Sequence, residues 1–401
     1  MKKYRTLDDL NAAGQTVLVR ADLNVPIDSA TGVVRDATRI IRLAPTMVEL
    51  ANQGARVVVI SHFGRPQGHE KQYTLEKISL AFAHALNREV KFFPDTIGDG
   101  VRREISHMKN GDILVLENTR FYKEEEANDA AFAAQLASLA NVYVNDAFSC
   151  AHRAHASTAG VAHHLPSYAG RLMQAELEAL STALENPKRP VLAVVGGSKI
   201  STKLSLLNNL IAKVNSLALG GAMANTMLLA RGQNIAKSLA EHDMLDIARD
   251  IMTTASKQNC EILLPIDACA GKKLAPDQPV RMVTLDKLEA DEMILDIGPQ
   301  SITALQRKLT SCRTVLWNGP LGAFEIKPFD TGTNMVAQAV AERSTAGQLV
   351  SVAGGGDTVA ALNAAGVADH FTYLSTAGGA FLEWLEGKEL PGVKALLLQR
   401  A

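Results

Sequence analysis

The sequence predicts an α/β protein of two domains, each a three-layer arrangement of helices on both faces of a mainly parallel sheet, joined by a long helix. Three observations predict it. Short β-branched runs alternate with helical patterns along the whole chain, the order that builds parallel sheets. The runs are apolar throughout rather than alternating, as strands buried on both faces require. And 401 residues is the length of two ordinary domains.

The strands of the first half are expected in "TVLVRAD", "RVVVISH", "DILVLEN" and "NVYVNDAF", and those of the second in "PVLAVVGG", "SLALGG", "TVLWNGP", "QLVSVAGGGD" and "FTYLSTAGG". Between them "YAGRLMQAELEALSTALENP" sets Met173, Leu177, Leu180 and Leu184 at helical spacing. Pro187 and Pro190 bracket the exit from that helix. The expected boundary gives a first domain at 1–186 and a second at 187–390.

Net charge is −1, so no global field draws the chain to nucleic acid or to an anionic membrane, and an anion site has to be a local cluster. No run of about 18 apolar residues occurs, which predicts no membrane-spanning helix. The N-terminal stretch has no apolar signal-peptide core, and Cys150, Cys260, Cys269 and Cys312 form no C-x-x-C pair. Reduced thiols in a cytoplasmic protein are the expectation.

Ligands of parallel sheets bind at the carboxyl ends of strands, so the residues after each run describe the ligand. After the first-half runs come Asp22 and Asn24, His62 and Arg65, Arg120, then His152 and Arg153, with Arg39 in "DATRIIR". Four planar guanidinium forks suit a small carboxylate or phosphate. His62 and His152 are expected to add imidazole donors. Asp22 and Asn24 are placed to accept from a substrate hydroxyl while tying down an arginine. Asp146 is expected to fix its loop, and His155, His163 and His164 to be structural.

The second half offers glycines instead: nineteen of the chain's 29, against ten before residue 189. "VVGGSKISTKL" (194–204) should be a strand, a turn and a first helical turn, with Lys199 and Lys203 four apart on one helix face. Cations at that end oppose the helix dipole unless an anion lies between them. "VAGGGDTVAAL" repeats the plan, with Asp357 either an N-cap or a carboxylate for Mg²⁺. "YLSTAGGAFLEWL" is a third such crossover, in which Thr376, Gly378 and Gly379 could donate to a moving phosphoryl group. "GGAMANT" and "WNGPLGAFE" suit an apolar slot for a base, with Glu325 accepting from ribose. No G-x-x-x-x-G-K-[ST] loop is present.

The stretches "RADLNVP", "SHFGRP", "LENTRF", "DAF..AHRAHAS", "GGSKIS.K", "WNGPLGAFE", "GGGDT" and "STAGGAFLEWLEGKELPG" together resemble the phosphoglycerate kinases over nearly the whole chain. The resemblance implies reversible ATP formation from ADP and 1,3-bisphosphoglycerate with Mg²⁺, in a monomer of two similar-sized domains that close on a hinge. It also implies that residues 391–401 pack back onto the first domain. Carried over motif by motif, Asp22, Asn24, Arg39, His62, Phe63, Gly64, Arg65, Arg120 and Arg153 hold the phosphoglycerate. Gly197, Lys203, Gly220, Gly221, Asn318, Pro320, Glu325, Gly355, Gly356, Asp357 and Thr358 match nucleotide positions, with Asp357 on the metal. Arg39, Lys199, Lys203, Gly356 and Gly379 match groups around the transferring phosphoryl. Four positions depart from the usual pattern: Ser149 and Cys150 replace smaller pairs, Asn225 stands where some members carry an aromatic, and Ala377 replaces a glycine. "YKEEEAND" also lacks a glycine usual in its loop.

Such a reaction needs no acid–base dyad, because the accepting carboxylate is already ionised and catalysis reduces to positioning and charge neutralisation. Two other readings fit parts of the chain. A nicotinamide-dependent dehydrogenase would use glycine turns, but no G-x-G-x-x-G opens a helix after a strand. A non-catalytic two-lobed anion receptor would need no second, glycine-rich cleft.

Overall fold

The computed structural model describes residues 4–28 and 31–397. The chain divides into two compact units, Met1–Leu177 with Glu389–Ala401, and Glu178–Lys388. The division falls within the helix Arg171–Leu180, ahead of the 186/187 boundary expected from the prolines. Apolar spacing identifies the helix; where it passes from one unit's core to the next depends on packing. Met173, Leu177, Leu180 and Leu184 are all buried, and the helix continues as a wider turn through Ser181–Glu185.

In the first unit, strands β1 (Thr16–Arg20), β2 (Arg56–Ile60), β3 (Lys91–Phe93), β4 (Ile113–Leu116), β5 (Val142–Asn145) and β6 (Ser167–Ala169) form one sheet in the order β3-β4-β2-β1-β5-β6. Every pairing is parallel. Alternate residues enter different cores. Val17 and Val19 pack on one face with Val57, Val59 and Val144, whereas Leu18 packs on the other with Val58, Ile60 and Tyr143. This two-sided burial explains the unbroken apolar runs. β3 and β6 escaped the sequence reading because they are three-residue edge strands.

The second unit repeats the plan with β7 (Val191–Gly196), β8 (Ser216–Gly220), β9 (Glu261–Leu263), β10 (Asp267–Gly271), β11 (Val280–Thr284), β12 (Met293–Ile297), β13 (Thr314–Asn318), β14 (Val350–Gly354) and β15 (Tyr373–Ser375). The order β15-β14-β13-β7-β8-β9 is again all parallel. Strands β10, β11 and β12 form a separate antiparallel sheet that the sequence reading did not anticipate. Residues beyond Glu389 belong to the first unit, where Gly392 N–H donates to Ala151 O at 2.8 Å and Leu397 bridges Tyr4. Of the expected 391–401 return, residues 398–401 lie outside the described residues.

Candidate active site

At the carboxyl ends of the first sheet, β1 delivers Asp22 and Asn24, β2 delivers His62 and Arg65, β4 delivers Arg120, and β5 delivers the loop carrying Arg153. Asp22 is buried and its Oδ2 accepts from Arg39 Nη1 at 2.9 Å. The same Arg39 nitrogen donates to Asn24 O at 3.0 Å. Gly64 joins two strand ends: its N–H donates to Asn24 Oδ1 at 3.0 Å and its carbonyl accepts from Arg120 Nη1 at 2.7 Å. Asn118 holds the adjoining turn, accepting from Phe63 N–H at 3.1 Å and donating to Phe63 O at 2.8 Å.

Arg65, Arg120, Lys123 and Arg153 line one open hollow of about 570 Å³, with His155, Phe121, Tyr122 and the carboxylate of Glu126. Glu126 pairs with Arg120 Nε at 2.9 Å. A comparably large hollow of about 660 Å³ is lined by Asp8, Asp9 and Glu49, and that acidic wall repels an anion. The hollow adds Lys123, Tyr122 and His155 to the residues read from sequence. His155 was expected to be structural. It stands on the wall, 3.9 Å from the buried Glu125, and burial with the nearby arginines pulls its pKa down to about 4.

The structure narrows two histidines to one ring nitrogen each. His152 Nε2 accepts from Arg153 Nε at 3.2 Å, so that nitrogen is not a donor to a ligand. His62 is buried and offers one ring N–H, because Arg20 Nη2 occupies its Nδ1 at 3.0 Å. Asp146 fixes its loop as expected, accepting from Leu172 N–H at 2.9 Å and Met173 N–H at 3.1 Å. Of the departures, Ser149 donates to Asp22 Oδ2 at 2.5 Å, and Cys150 Sγ lies 3.9 Å from His62 Nδ1.

In the second unit, β7 ends at Gly196, and a loop leads to a short turn at Ser201–Lys203 and then the helix Leu204–Ile211. The shared helix face expected for Lys199 and Lys203 is therefore absent. Lys199 is exposed in the loop, and Lys203 precedes the helix with φ −124° and ψ 14°. Lys203 folds inward: Nζ donates to Gly196 O at 2.7 Å and to Asn318 Oδ1 at 2.9 Å. Burial lowers its pKa to about 8 against the opposing pull of Asp357. Asn318 Nδ2 donates to Gly354 O at 2.8 Å, and Thr358 Oγ1 accepts from Gly319 N–H at 2.7 Å. These bonds tie the carboxyl ends of β7, β13 and β14 together.

Two glycines at these strand ends are packed against neighbouring backbone. A Cβ on Gly196 would lie 1.7 Å from Pro320 O, and one on Gly220 2.6 Å from Leu321 Cα. Gly356 differs: it is exposed at the head of the helix Gly356–Ala364, with open space where a Cβ would go. Asp357 lies exposed in the first turn of that helix, whose N-cap is Gly355. The N-cap role is thus excluded for Asp357, and its exposed carboxylate fits Mg²⁺, which takes one or two carboxylates with phosphate oxygens and water. Gly379 is exposed at the start of the helix Gly379–Leu385, and Glu325 is exposed after the β13 turn. Ala377 is tolerated because the left-handed position falls on Gly378, with φ 56°. Asn225 is buried, with Nδ2 donating to Leu239 O at 3.2 Å.

A phosphoglycerate kinase family model matches residues 7–388. The chain belongs to the phosphoglycerate kinase family. Phosphoglycerate kinases of Rhodospirillum centenum and Bradyrhizobium diazoefficiens are 58% and 54% identical to it, over 98% and 99% of this chain and 99% of each relative. The structure of phosphoglycerate kinase from Coxiella burnetii superposes with a TM-score of 0.91 at 40% identity, covering 98% of both chains. That from Pyrococcus horikoshii OT3 gives 0.80 at 30% identity, again over 98% of both chains. The chain is thus a phosphoglycerate kinase by family: a glycolytic enzyme that moves a phosphoryl group between 1,3-bisphosphoglycerate and ADP. Phosphoglycerate kinases work on ATP and ADP with Mg²⁺. Among the described residues no helix is long and apolar enough to cross a membrane.

Proposed function

We propose that the first unit binds 3-phosphoglycerate through Arg39, Arg65, Arg120, Arg153 and His62, with Asp22 and Asn24 orienting Arg39 and the turn Phe63–Gly64. The observation that carries this is the convergence of Arg65, Arg120 and Arg153 on one hollow at the carboxyl ends of parallel strands. Each fork can take two oxygens of a phosphate or carboxylate. The second unit binds the nucleotide through Lys203, the Asn318–Pro320 turn, Gly197, Gly220, Gly221, Glu325 and the helix opening at Gly355–Thr358.

The nucleophile in the ATP-consuming direction is the substrate carboxylate, ionised at neutral pH, so no side chain removes a proton. Arg39 from the first unit and Lys199 from the second neutralise charge on the phosphoryl group, and the N–H groups of Gly356 and Gly379 orient it. Asp357 would hold Mg²⁺, which supplies charge neutralisation on the nucleotide phosphates. Lys203, already committed to two carbonyl oxygens, serves the nucleotide phosphates rather than the moving group. The enzyme works as a cytoplasmic monomer.

A coupled assay with 3-phosphoglycerate and MgATP tests the reading. Arg39→Ala and Lys199→Ala should each lower kcat by about 100-fold or more, and near-parental kcat in either removes that residue from the mechanism. Light scattering should give the mass of one chain.

A further inference from the structure

Arg20, the last residue of β1, is 1% exposed. Its guanidinium is held on every side. Nε donates to Ser157 Oγ at 2.8 Å, Nη1 donates to Ala21 O, and Nη2 meets His62 Nδ1 at 3.0 Å. Behind it lies Glu125, fully buried, accepting from Ser157 N–H at 2.9 Å and from Ser157 Oγ. The motifs that suggested the site include Arg20, but nothing in them separates it from the ligand-facing arginines.

A guanidinium has five N–H donors and no acceptor, and it keeps its proton in proteins. The His62 atom facing it therefore accepts, and the ring's one proton sits on Nε2. We propose that Arg20 is a positioning residue that locks His62 in the neutral Nε2–H tautomer and so presents a single uncharged donor to the phosphoglycerate. This rests on the reading of His62 as a substrate contact.

The surroundings agree. Burial, Arg20, Arg120, Arg153 and His155 all disfavour an imidazolium at His62. Cys150 Sγ lies 3.9 Å from the same Nδ1, and Asp22, His62 and Cys150 bring three ligand atoms within 4.8 Å of one another. Cys, His and Asp are the donors of a zinc centre. Here Arg20 already sits on the imidazole, while Arg39 and Ser149 hold Asp22. The guanidinium supplies the positive charge beside the imidazole. A neutral donor also keeps His62 in one state through the range where an ordinary histidine titrates.

Long-range ¹⁵N NMR of the histidine-labelled enzyme tests the lock directly, with the His62 signal identified by its loss in His62→Gln. A bare Nδ1 and a protonated Nε2, unchanged from about pH 8 to about pH 5, are expected. An Nδ1–H tautomer, or an imidazolium at about pH 6, overturns the proposal without touching the substrate reading. Arg20→Met should raise KM for 3-phosphoglycerate about tenfold with a smaller change in kcat. Arg20→Gln, whose amide can donate to Nδ1, should recover part of that loss together with the tautomer. A Gln variant that restores neither removes the lock. An unchanged KM in His62→Gln removes the substrate contact and leaves the lock standing.

Discussion

Lys203 Nζ lies 2.9 Å from Asn318 Oδ1 and 2.7 Å from Gly196 O, so one ammonium closes the gap between the ends of β13 and β7. The group is largely buried and faces no carboxylate at ion-pair distance among the described residues, which is why its pKa falls to about 8.

That depression gives a pH signature. A lysine that must be charged to hold phosphate loses its hold as pH rises through about 8. KM for MgATP should therefore climb between about pH 7.5 and 9.5 in the parent. In Lys203→Arg, which keeps its charge throughout, that limb should be absent. Stability runs the other way. Between about 8 and 10.5 the unfolded chain binds more protons at this site than the folded one, so the Lys203 contribution to stability rises with pH there.

Asp296 offers an opposite case. It is buried at the end of β12, accepting from Ile297 N–H at 2.8 Å and Gly332 N–H at 2.6 Å, and burial raises its pKa to about 7. The folded state then binds more protons than the unfolded one between about 3.8 and 7. Its contribution to stability is full below that window and is lost as pH rises through it. Urea denaturation from pH 5 to 8 should show this slope in the parent and a flatter profile in Asp296→Asn. Equal slopes would place the proton elsewhere.

The glycines separate by what surrounds them. Gly196→Ala forces a methyl to within 1.7 Å of Pro320 O and should destabilise by about 1–3 kcal/mol, read as a fall in Tm. Gly356→Ala meets open space and should leave Tm within about a degree or two, while lowering kcat if a phosphoryl group approaches that backbone. A Gly356→Ala enzyme of parental kcat would assign that position to the turn alone.

Glu126 pairs with Arg120 at 2.9 Å on the wall of the basic hollow. An entering anion has to share that arginine. Glu126→Gln should lower KM for 3-phosphoglycerate by about two- to fivefold, the size of a partly exposed ion pair. The effect should shrink in high salt, and a KM that rises instead would make Glu126 a support of Arg120 rather than its competitor.

The basic cluster of the first unit was legible because charge is local. An arginine or aspartate placed just after an apolar run is at the carboxyl end of a strand, and parallel sheets put those ends together. The loop 197–203 was less legible. Spacing alone put Lys199 and Lys203 on one helix face, but the helix begins only at Leu204, and Lys203 turns in to two carbonyl oxygens, one at the end of the preceding strand and one from Asn318, far away in the chain. The glycines have a further reason that the sequence does not display: a side chain at Gly196 or Gly220 would strike the chain at Pro320 or Leu321.

The sequence by itself determined the two parallel sheets, their helical connection and the set of charged side chains at the strand ends, since apolar periodicity and local charge are written along the chain. Only the tertiary structure decided which partners those side chains have. Arg20 and Arg39 look alike in sequence. One is sealed against His62 and Ser157, while the other is partly exposed and bonded to Asp22. Their difference comes from burial and from hydrogen bonds to residues far away in the chain, and no local pattern encodes either.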